Sequence, residues 1–307
     1  MNTSNKPNII EVRNLTKTYK KTPAVNNLTL NVKKGEIFGF LGPNGAGKTT
    51  TIKSMLGLIY PTTGNIKIKN HEIHKFGKKV KKYIGYMPER IAFYDNLTGL
   101  QNLEFYASIK NVEKSECVTL IEEMGLSQHA HKKVGDYSKG MNQRLGMARA
   151  VLGNPEILIL DEPSGGLDPR GVRLIREKIK SLNNEGVTIF ISSHILSEIQ
   201  SICSQIGIIN QGSLVAQDTV LELSKNLKVK PKLIMEFLEV NDRVVEIIKN
   251  IPGVESLEIN GKYISINCLP EKRAEVIANT FNAGGKIINI QTEEASLEDI
   301  FMRITGS

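Results

Sequence analysis

The stretch that decides the fold is Gly42-Pro43-Asn44-Gly45-Ala46-Gly47-Lys48-Thr49, which fits the pattern G-x-x-x-x-G-K-[ST]. The largely apolar run 36–41 before it is typical of a buried strand, and residues 50–58 have the apolar spacing of a helix. A strand, a glycine-rich loop and a helix can cradle phosphate, because loop N–H groups point inward and the helix N-terminus attracts anions. The sequence therefore predicts a phosphate-binding site at this loop.

Two side chains of this loop have separate predicted roles. Lys48 is expected to reach the β- and γ-phosphates of a nucleotide, and the Thr49 hydroxyl is expected to bind Mg²⁺. The alternative is a glycine-rich turn with a chance lysine. The flanking strand and helix disfavour that alternative.

An acidic pair follows a second buried strand. Residues 157–160 are all apolar, as in a parallel strand covered by helices, and Asp161-Glu162-Pro163 closes the run. Carboxylates at the carboxyl end of such a strand lie where open α/β sheets bind ligands. Asp161 is predicted to hold Mg²⁺ directly or through water, and Glu162 to orient and deprotonate the water that attacks the γ-phosphate. An acidic turn without function is the alternative, which the loop at Lys48 disfavours.

Two further candidates lie at strand ends. His194 follows the apolar strand 187–191, the third strand whose carboxyl end is expected to face the nucleotide, so contact with the γ-phosphate is predicted. A lone histidine there is more often a packed or capping residue. Tyr19 precedes a Lys-Lys-Thr-Pro turn, where its ring would either stack on adenine or pack at a strand end.

Composition limits the function classes. The chain has 307 residues, 40% of them hydrophobic and 23% charged, which suits a globular protein of more than one domain. Residues 1–8 are polar, unlike a signal peptide. No apolar run approaches the roughly 18 to 20 residues that span a bilayer, so another chain is expected to supply any membrane spans. The three cysteines are far apart in sequence, which indicates neither a metal site nor a disulfide framework and favours a reducing cytoplasm.

The formal net charge of +8 is unevenly distributed. Residues 232–307 contain 8 basic and 12 acidic residues, so the remainder carries a net charge of +12. Residues 67–82 contain seven of the lysines. This run is either a nucleic-acid patch or a solvated face that attracts ATP or anionic lipid headgroups. Only Phe76 and Tyr83 lie within or beside it, too few for a base-stacking platform, so no specific nucleic acid is expected.

The pattern along the chain predicts an α/β protein of two domains. Residues 1–227 alternate strands and helices around a mixed sheet, and a helical subdomain interrupts them at about 98–153. Residues 228–232 have the composition of a linker. Residues 233–307 follow the order βαββαβ of a ferredoxin-like unit, with Ser296 as the candidate N-cap of a final helix. No catalytic constellation is visible there, which favours a regulatory or dimerisation role.

The motifs, in their order along the chain, resemble those of the ATPase subunits of ABC transporters. A Ser-x-Gly signature at Ser138-Lys139-Gly140, followed by Gln143-Arg144, lies ahead of the acidic strand, and Ser164-Gly165-Gly166-Leu167-Asp168 lies after it. The resemblance covers roughly residues 9–220; GTPases, kinases and helicases share the phosphate loop but lack the signature. The tail, residues 296–301, looks like the C-terminal extension of ATPase subunits of many drug and multi-substrate exporters.

This resemblance implies a P-loop NTPase core and a role for each motif. Residues Gly42 to Thr50 would cradle the phosphates of ATP, and Tyr19 would stack on adenine. Ser138 and Gly140 would cap the γ-phosphate bound by a second subunit, and Asp168 would communicate between subunits. The implied cofactors are ATP and Mg²⁺. The implied assembly is a homodimer, or a pair of ATPase subunits, with an integral membrane permease at the cytoplasmic face of the membrane, working in export.

Three residues depart from the usual family pattern. Glu89 stands where the family usually has Gln, and it is expected to meet Mg²⁺ or water. Lys139 and Met141 replace the usual Gly and Gln of the signature, and neither breaks a cap that depends on backbone groups. Residues 89–96 and the following helices are the expected docking surface for the permease.

Two other functions compete with this interpretation. A soluble ABC-type ATPase would remodel a protein or nucleoprotein without a channel. A non-enzymatic, nucleotide-dependent dimerisation module is the second competitor, and the intact Glu162 and His194 disfavour it.

Overall fold

The computed structural model describes residues 6–226, 232–293 and 297–305, and the chain divides into two compact units, Met1–Thr219 and Val220–Ser307. The strands of the first unit are β1 (Asn8–Tyr19), β2 (Thr22–Lys33), β3 (Ile37–Leu41), β4 (Thr63–Ile68), β5 (His71–Glu72), β6 (Ile84–Met87), β7 (Ile157–Asp161), β8 (Thr188–Ser193), β9 (Gln205–Asn210) and β10 (Ser213–Asp218). Its helices are α1 (Lys48–Met55), α2 (Ile73–Lys81), α3 (Gly99–Lys110), α4 (Lys114–Glu123), α5 (Lys139–Val151), α6 (Pro169–Asn184) and α7 (Leu196–Ile202). The second unit contains α8 (Val220–Asn226), β11 (Lys232–Phe237), α9 (Asp242–Lys249), β12 (Val254–Asn260), β13 (Tyr263–Cys268), α10 (Arg273–Asn282), β14 (Ile287–Glu293) and α11 (Leu297–Thr305).

A six-stranded sheet in the order β10-β9-β3-β8-β7-β6 carries the site. Its strands from β9 to β6 are parallel, and β10 pairs antiparallel with β9. Strands β3 and β7 are buried at every residue, as their apolar sequences predict. The register pairs Leu41 with Ser193 and Asp161 with Ser192, so β3, β7 and β8 end at the same edge of the sheet. The predicted convergence of these three strand ends is therefore confirmed.

A four-stranded antiparallel sheet, β2-β1-β4-β5, shares one hydrophobic core with the larger sheet. In β2 the buried Leu28, Leu30 and Val32 alternate with exposed residues, which places one face of the strand on that core. On the other side of the core, the rings of Phe38 and Phe190 stack with centroids 5.4 Å apart. The two sheets together form the α/β core that was predicted with a mixed sheet.

Helices α3, α4 and α5 occupy the segment predicted as a helical subdomain. Thr98 begins α3 with a capping box, in which its hydroxyl accepts from the Gln101 N–H and the Gln101 side chain accepts from the Thr98 N–H. Gly125 follows α4 with a φ of +63°. Glycine adopts this left-handed conformation without the strain that a Cβ imposes, so it ends a helix readily.

The second unit has the strand order β12-β13-β11-β14, and every neighbouring pair is antiparallel. With α9 between β11 and β12 and α10 between β13 and β14, this is the ferredoxin-like arrangement that the sequence predicts. Both helices contribute to its core, through Val244 and Ile248 of α9 and Val276 of α10. The predicted linker 228–232 lies outside the described residues apart from Lys232, and so does the candidate N-cap Ser296. The predicted domain boundary falls a few residues after the division between the two units.

Within the described ranges, no helix is both long enough and apolar enough to span a bilayer.

Candidate functional site

The glycine-rich loop connects β3 to α1, as the sequence predicts. Helix α1 begins at Lys48, two residues earlier than the predicted start at Thr50, because Gly47 serves as its N-cap with a φ of +108°. A Cβ at Gly47 would collide with the backbone oxygen of Ala24, so both the conformation and the space require glycine. Helix α1 therefore begins within the loop, and its N-terminal N–H groups favour an anion at that position.

Lys48 is buried, although it carries a charge. Its Nζ donates to the Gly42 carbonyl oxygen at 2.7 Å and lies 3.5 Å from Oε1 of Glu162. The side chain therefore joins the loop to the acidic strand end. A buried ammonium group of this kind is stabilised only by such oxygen partners.

Asp161 is a buried carboxylate with one unpaired oxygen. It is 1% exposed, and its Oδ1 accepts a hydrogen bond of 2.5 Å from the Ser192 hydroxyl. Among the described residues, Oδ2 has no hydrogen bond of acceptable geometry, although the Thr49 hydroxyl lies near enough to favour the charged form. Burial raises the pKa of Asp161, while Ser192 and Thr49 oppose that rise. An unsatisfied oxygen on a buried carboxylate, beside a hydroxyl, fits a bound cation.

Glu162 adopts a left-handed backbone, with a φ of +53°. Its N–H donates to the Ser192 carbonyl oxygen at 3.1 Å. Its carboxylate reaches two partners from different elements: Oε1 lies near Lys48, and Oε2 lies 2.7 Å from Nδ1 of His194. The Glu162 side chain is 12% exposed and that of His194 is 54% exposed. The carboxylate is thus held at the wall of the site while the imidazole faces outward.

A cleft of about 1000 Å³ contains much of the predicted site. Its walls include these predicted residues: Pro43, Asn44, Gly45, Gly47, Lys48, Thr49, Thr50, Glu89, Glu162 and His194. Gly42, Ala46 and Asp161 lie outside the lining, because Ala46 and Asp161 are buried and Gly42 packs against Ile209. The structure therefore brings the phosphate loop, Glu89 and the catalytic candidates into one cavity.

Three further predicted residues, Tyr19, Ser138 and Gly140, also do not line this cleft. Tyr19 is 48% exposed at the end of β1, and its ring centroid lies 5.2 Å from Nζ of Lys17. Ser138 is the N-cap of α5, and its hydroxyl oxygen accepts from the Met141 N–H at 3.2 Å. Gly140 lies in the first turn of the same helix. Their assigned roles remain predictions.

Sequence reasoning missed the contacts that Gln143 and Ser192 make with the acidic pair. The Gln143 side chain is 5% exposed, and its Nε2 donates to the carbonyl oxygens of Glu162 at 3.2 Å and Pro163 at 2.9 Å. Ser192 binds Asp161 through its hydroxyl and Glu162 through its backbone. The available signals were a polar residue on the buried face of α5 and a serine directly after an apolar strand.

The described residues contain no group of three or more His, Cys, Asp or Glu side chains that could hold a metal ion alone. Mg²⁺ commonly binds proteins through one or two carboxylates and completes its shell with water and substrate phosphates. Asp161 with its unpaired oxygen, and the neighbouring Thr49, meet that requirement.

Two family models match the chain. The model described as "ABC transporter" matches residues 25–165. The model described as "ATP-binding protein DrrA1-3-like, C-terminal domain" matches residues 225–305. The two matches fall on the α/β core and on the ferredoxin-like part.

Curated relatives align along nearly the whole chain. The bacitracin transport ATP-binding protein BcrA of Bacillus licheniformis is 39% identical over 302 residues, covering 97% of this chain and 97% of the relative. The linearmycin resistance ATP-binding protein LnrL of Bacillus subtilis is 31% identical over 306 residues, covering 97% and 98%. The similarity therefore includes both the core and the C-terminal unit.

Solved structures match the core. An ATP-binding subunit of an ABC transporter is 28% identical, with a TM-score of 0.68, over 72% of this chain and 94% of that chain. A dimeric post-hydrolysis state of the ATP-binding cassette MJ0796, bound to ADP and Pi, is 26% identical, with a TM-score of 0.65, over 69% and 98%.

Proposed function

This chain belongs to the family of ABC transporter ATP-binding proteins, and on that premise we propose that it works as a pair of ATPase subunits that drive export through a separate membrane permease. The observation that carries the proposal is the position of the Glu162 carboxylate, between Lys48 of the phosphate loop and His194, which directly follows β8. A base beside a phosphate cradle suits ATP hydrolysis. The named relatives that serve bacitracin transport and linearmycin resistance support export as its use.

In the proposed mechanism, each side chain of the centre has one task. Lys48 stabilises the negative charge on the β- and γ-phosphates. Glu162 orients the attacking water and accepts its proton, while His194 holds Oε2 and faces the γ-phosphate. Mg²⁺, when bound, supplies charge neutralisation across the phosphates. The residues proposed to hold it are Thr49, Asp161 and Glu89.

The start of α5 is proposed to act on the ATP held by a second subunit. Ser138 and Gly140 present the N-terminus of a 13-residue helix, and a helix N-terminus favours an anion. Ser138 and Gly140 do not line the cleft that contains the chain's own phosphate loop, although Lys139 between them does. A γ-phosphate held from both sides would join two subunits. Hydrolysis would then separate them and reset the permease.

An aromatic surface beside Glu89 supports the docking of a membrane subunit. Tyr94 and Phe105 are 49% and 40% exposed, and their rings meet edge to face with centroids 5.1 Å apart. Arg149 places its guanidinium carbon 5.0 Å from the Phe93 ring and 5.1 Å from the Tyr106 ring. Exposed aromatic rings of this kind suit a partner that inserts an apolar helix.

The proposal is tested by affinity purification of the Glu162→Gln chain from native membranes with ATP, followed by mass spectrometry. We expect a protein with several membrane spans to be recovered. A Tyr94→Arg change is expected to reduce its recovery, because it puts a charge into the proposed docking surface. The matched control is Tyr263→Arg, at a tyrosine in the C-terminal unit that is 47% exposed. Recovery of a soluble protein or RNA without any membrane protein would instead support the remodelling ATPase.

A further inference from the structure

The backbone of Glu162 must be held in place by its neighbours. A φ of +53° is unfavourable for a residue that carries a Cβ, and such residues persist only where the surroundings determine them. On the amino side, the Glu162 N–H donates to the Ser192 carbonyl oxygen at 3.1 Å and also lies 3.2 Å from its hydroxyl oxygen. This side is therefore fixed by the adjacent strand β8.

The carboxyl side of Glu162 is held by α5. The Nε2 of Gln143 donates to the carbonyl oxygen of Glu162 at 3.2 Å and to that of Pro163 at 2.9 Å. Gln143 is 5% exposed, so water competes little for these bonds. One amide group thus donates to two successive carbonyl oxygens, that of the left-handed residue and that of the residue after it.

A second side chain of α5 touches the same loop one helical turn earlier. Lys139 lies four residues before Gln143, on the same face of the helix. A Cβ placed on Gly166 would lie 2.5 Å from Cε of Lys139, so the lysine stem packs directly over this glycine. The loop from Glu162 to Gly166 therefore rests on one face of α5.

We infer that Gln143 is a positioning residue for ATP hydrolysis, which keeps the Glu162 carboxylate aimed at the γ-phosphate by holding the carbonyl groups of Glu162 and Pro163. The inference rests on the proposed function, because it requires Glu162 to be the base. Without the Nε2 donor, the Pro163 carbonyl oxygen loses this partner, and the Glu162 carbonyl oxygen keeps the Gly165 N–H at 3.2 Å but loses its link to α5. The left-handed backbone of Glu162 can then relax. A base displaced by about 1 Å costs on the order of 100-fold in rate.

The first experiment is steady-state ATP hydrolysis by Gln143→Met, which keeps the side-chain volume but removes the donor. We expect kcat to fall about 10- to 100-fold while ATP affinity stays within about threefold. The matched control is Gln217→Met. The Nε2 of Gln217 also donates to a backbone carbonyl, that of Asn31 at 2.8 Å, but Gln217 is an exposed residue of β10 and does not line the cleft. The control is expected to keep the kcat of the unaltered chain.

A second measurement separates positioning from general damage to the fold. In a Glu162→Ala background, adding Gln143→Met is expected to leave the residual turnover unchanged, because the residue that Gln143 positions is already absent. A further loss in that background would show a merely structural role and overturn the inference. If the Met variant fails to bind ATP, Gln143→Asn replaces it, since this change keeps the amide but shortens its reach. A smaller loss of kcat is then expected, and an unchanged kcat would overturn the inference.

The two possible failures give different results. If Gln143→Met has the unaltered kcat while Glu162→Gln is inactive, the positioning role is wrong and the base assignment stands. If Glu162→Gln itself hydrolyses ATP normally, the base assignment in the proposed function is wrong.

Discussion

The phosphate loop and the hydrolytic centre are built in opposite ways. The loop occupies consecutive residues between β3 and α1, and it works through backbone geometry that Gly47 makes possible. The proposed hydrolytic centre gathers Lys48 from α1, Glu162 from the end of β7, Ser192 from β8 and Gln143 from α5. A contiguous site is specified by local sequence, whereas an assembled site depends on strand register and helix packing. Damage to the two regions should therefore have different consequences.

The largest expected effect separates hydrolysis from binding. Glu162→Gln removes the proposed base but leaves the loop intact, so turnover is expected to fall about 100-fold or more with ATP affinity nearly unchanged. Lys48→Met removes a charged contact to phosphate, so ATP affinity itself is expected to fall about tenfold or more. A fluorescent-nucleotide titration and a phosphate-release assay on both variants measure these effects. Equal losses of affinity in the two variants would remove the distinction between loop and centre.

A smaller expected effect concerns the thermal stability of the folded chain. It tests whether a buried charge in the assembled centre, unlike the backbone geometry of the loop, costs stability. Burial raises the pKa of Asp161, so the stability that this group contributes is present at low pH and lost as pH rises through its pKa in the folded protein. At neutral pH the ionised group therefore costs stability. Asp161→Asn removes that charge and keeps an oxygen for the Ser192 hydroxyl, so Tm is expected to rise by about 2 to 4 °C without nucleotide or metal.

Differential scanning fluorimetry in EDTA at pH 8 and at pH 4 measures this gain. The difference in Tm between Asp161→Asn and the unaltered chain is expected to shrink at pH 4, where protonation of Asp161 relieves the same cost. Asn183→Asp is the opposite control, because it introduces a carboxylate at a partly buried side chain outside the cleft. Its Tm at pH 8 is expected to be lower than that of the unaltered chain. A lower Tm for Asp161→Asn at pH 8 would show that the buried charge does not cost stability in the absence of a cation.

The contiguous features were the ones that sequence could predict. The loop, the apolar runs of β3 and β7 and the βαββαβ order of the C-terminal unit each lie within a short stretch, and the structure confirms them. The predicted start of α1 was two residues late. The left-handed Gly47 serves as its N-cap, and hydrophobic periodicity does not reveal such a cap. Local pattern therefore gave the elements more reliably than their ends.

Contacts between distant segments could not be predicted in the same way. The role of Ser192 depends on its pairing with Asp161 across β7 and β8, and sequence does not specify that register. Gln143 was visible in the signature motif, but the loop that it contacts is separated from it by the rest of α5 and by strand β7. A glutamine on the buried face of α5 is a signal for such a contact, although it does not identify the partner.

The most direct test of the shared ATP site is the mass of the Glu162→Gln chain by sedimentation velocity, with and without Mg-ATP. We predict an ATP-dependent dimer, because each bound γ-phosphate would be held by the loop of one chain and by Ser138 of the other. Adding Ser138→Arg to this chain is predicted to abolish the ATP-dependent dimer while ATP still binds. A Glu162→Gln chain that binds Mg-ATP without any change in mass would contradict the shared site.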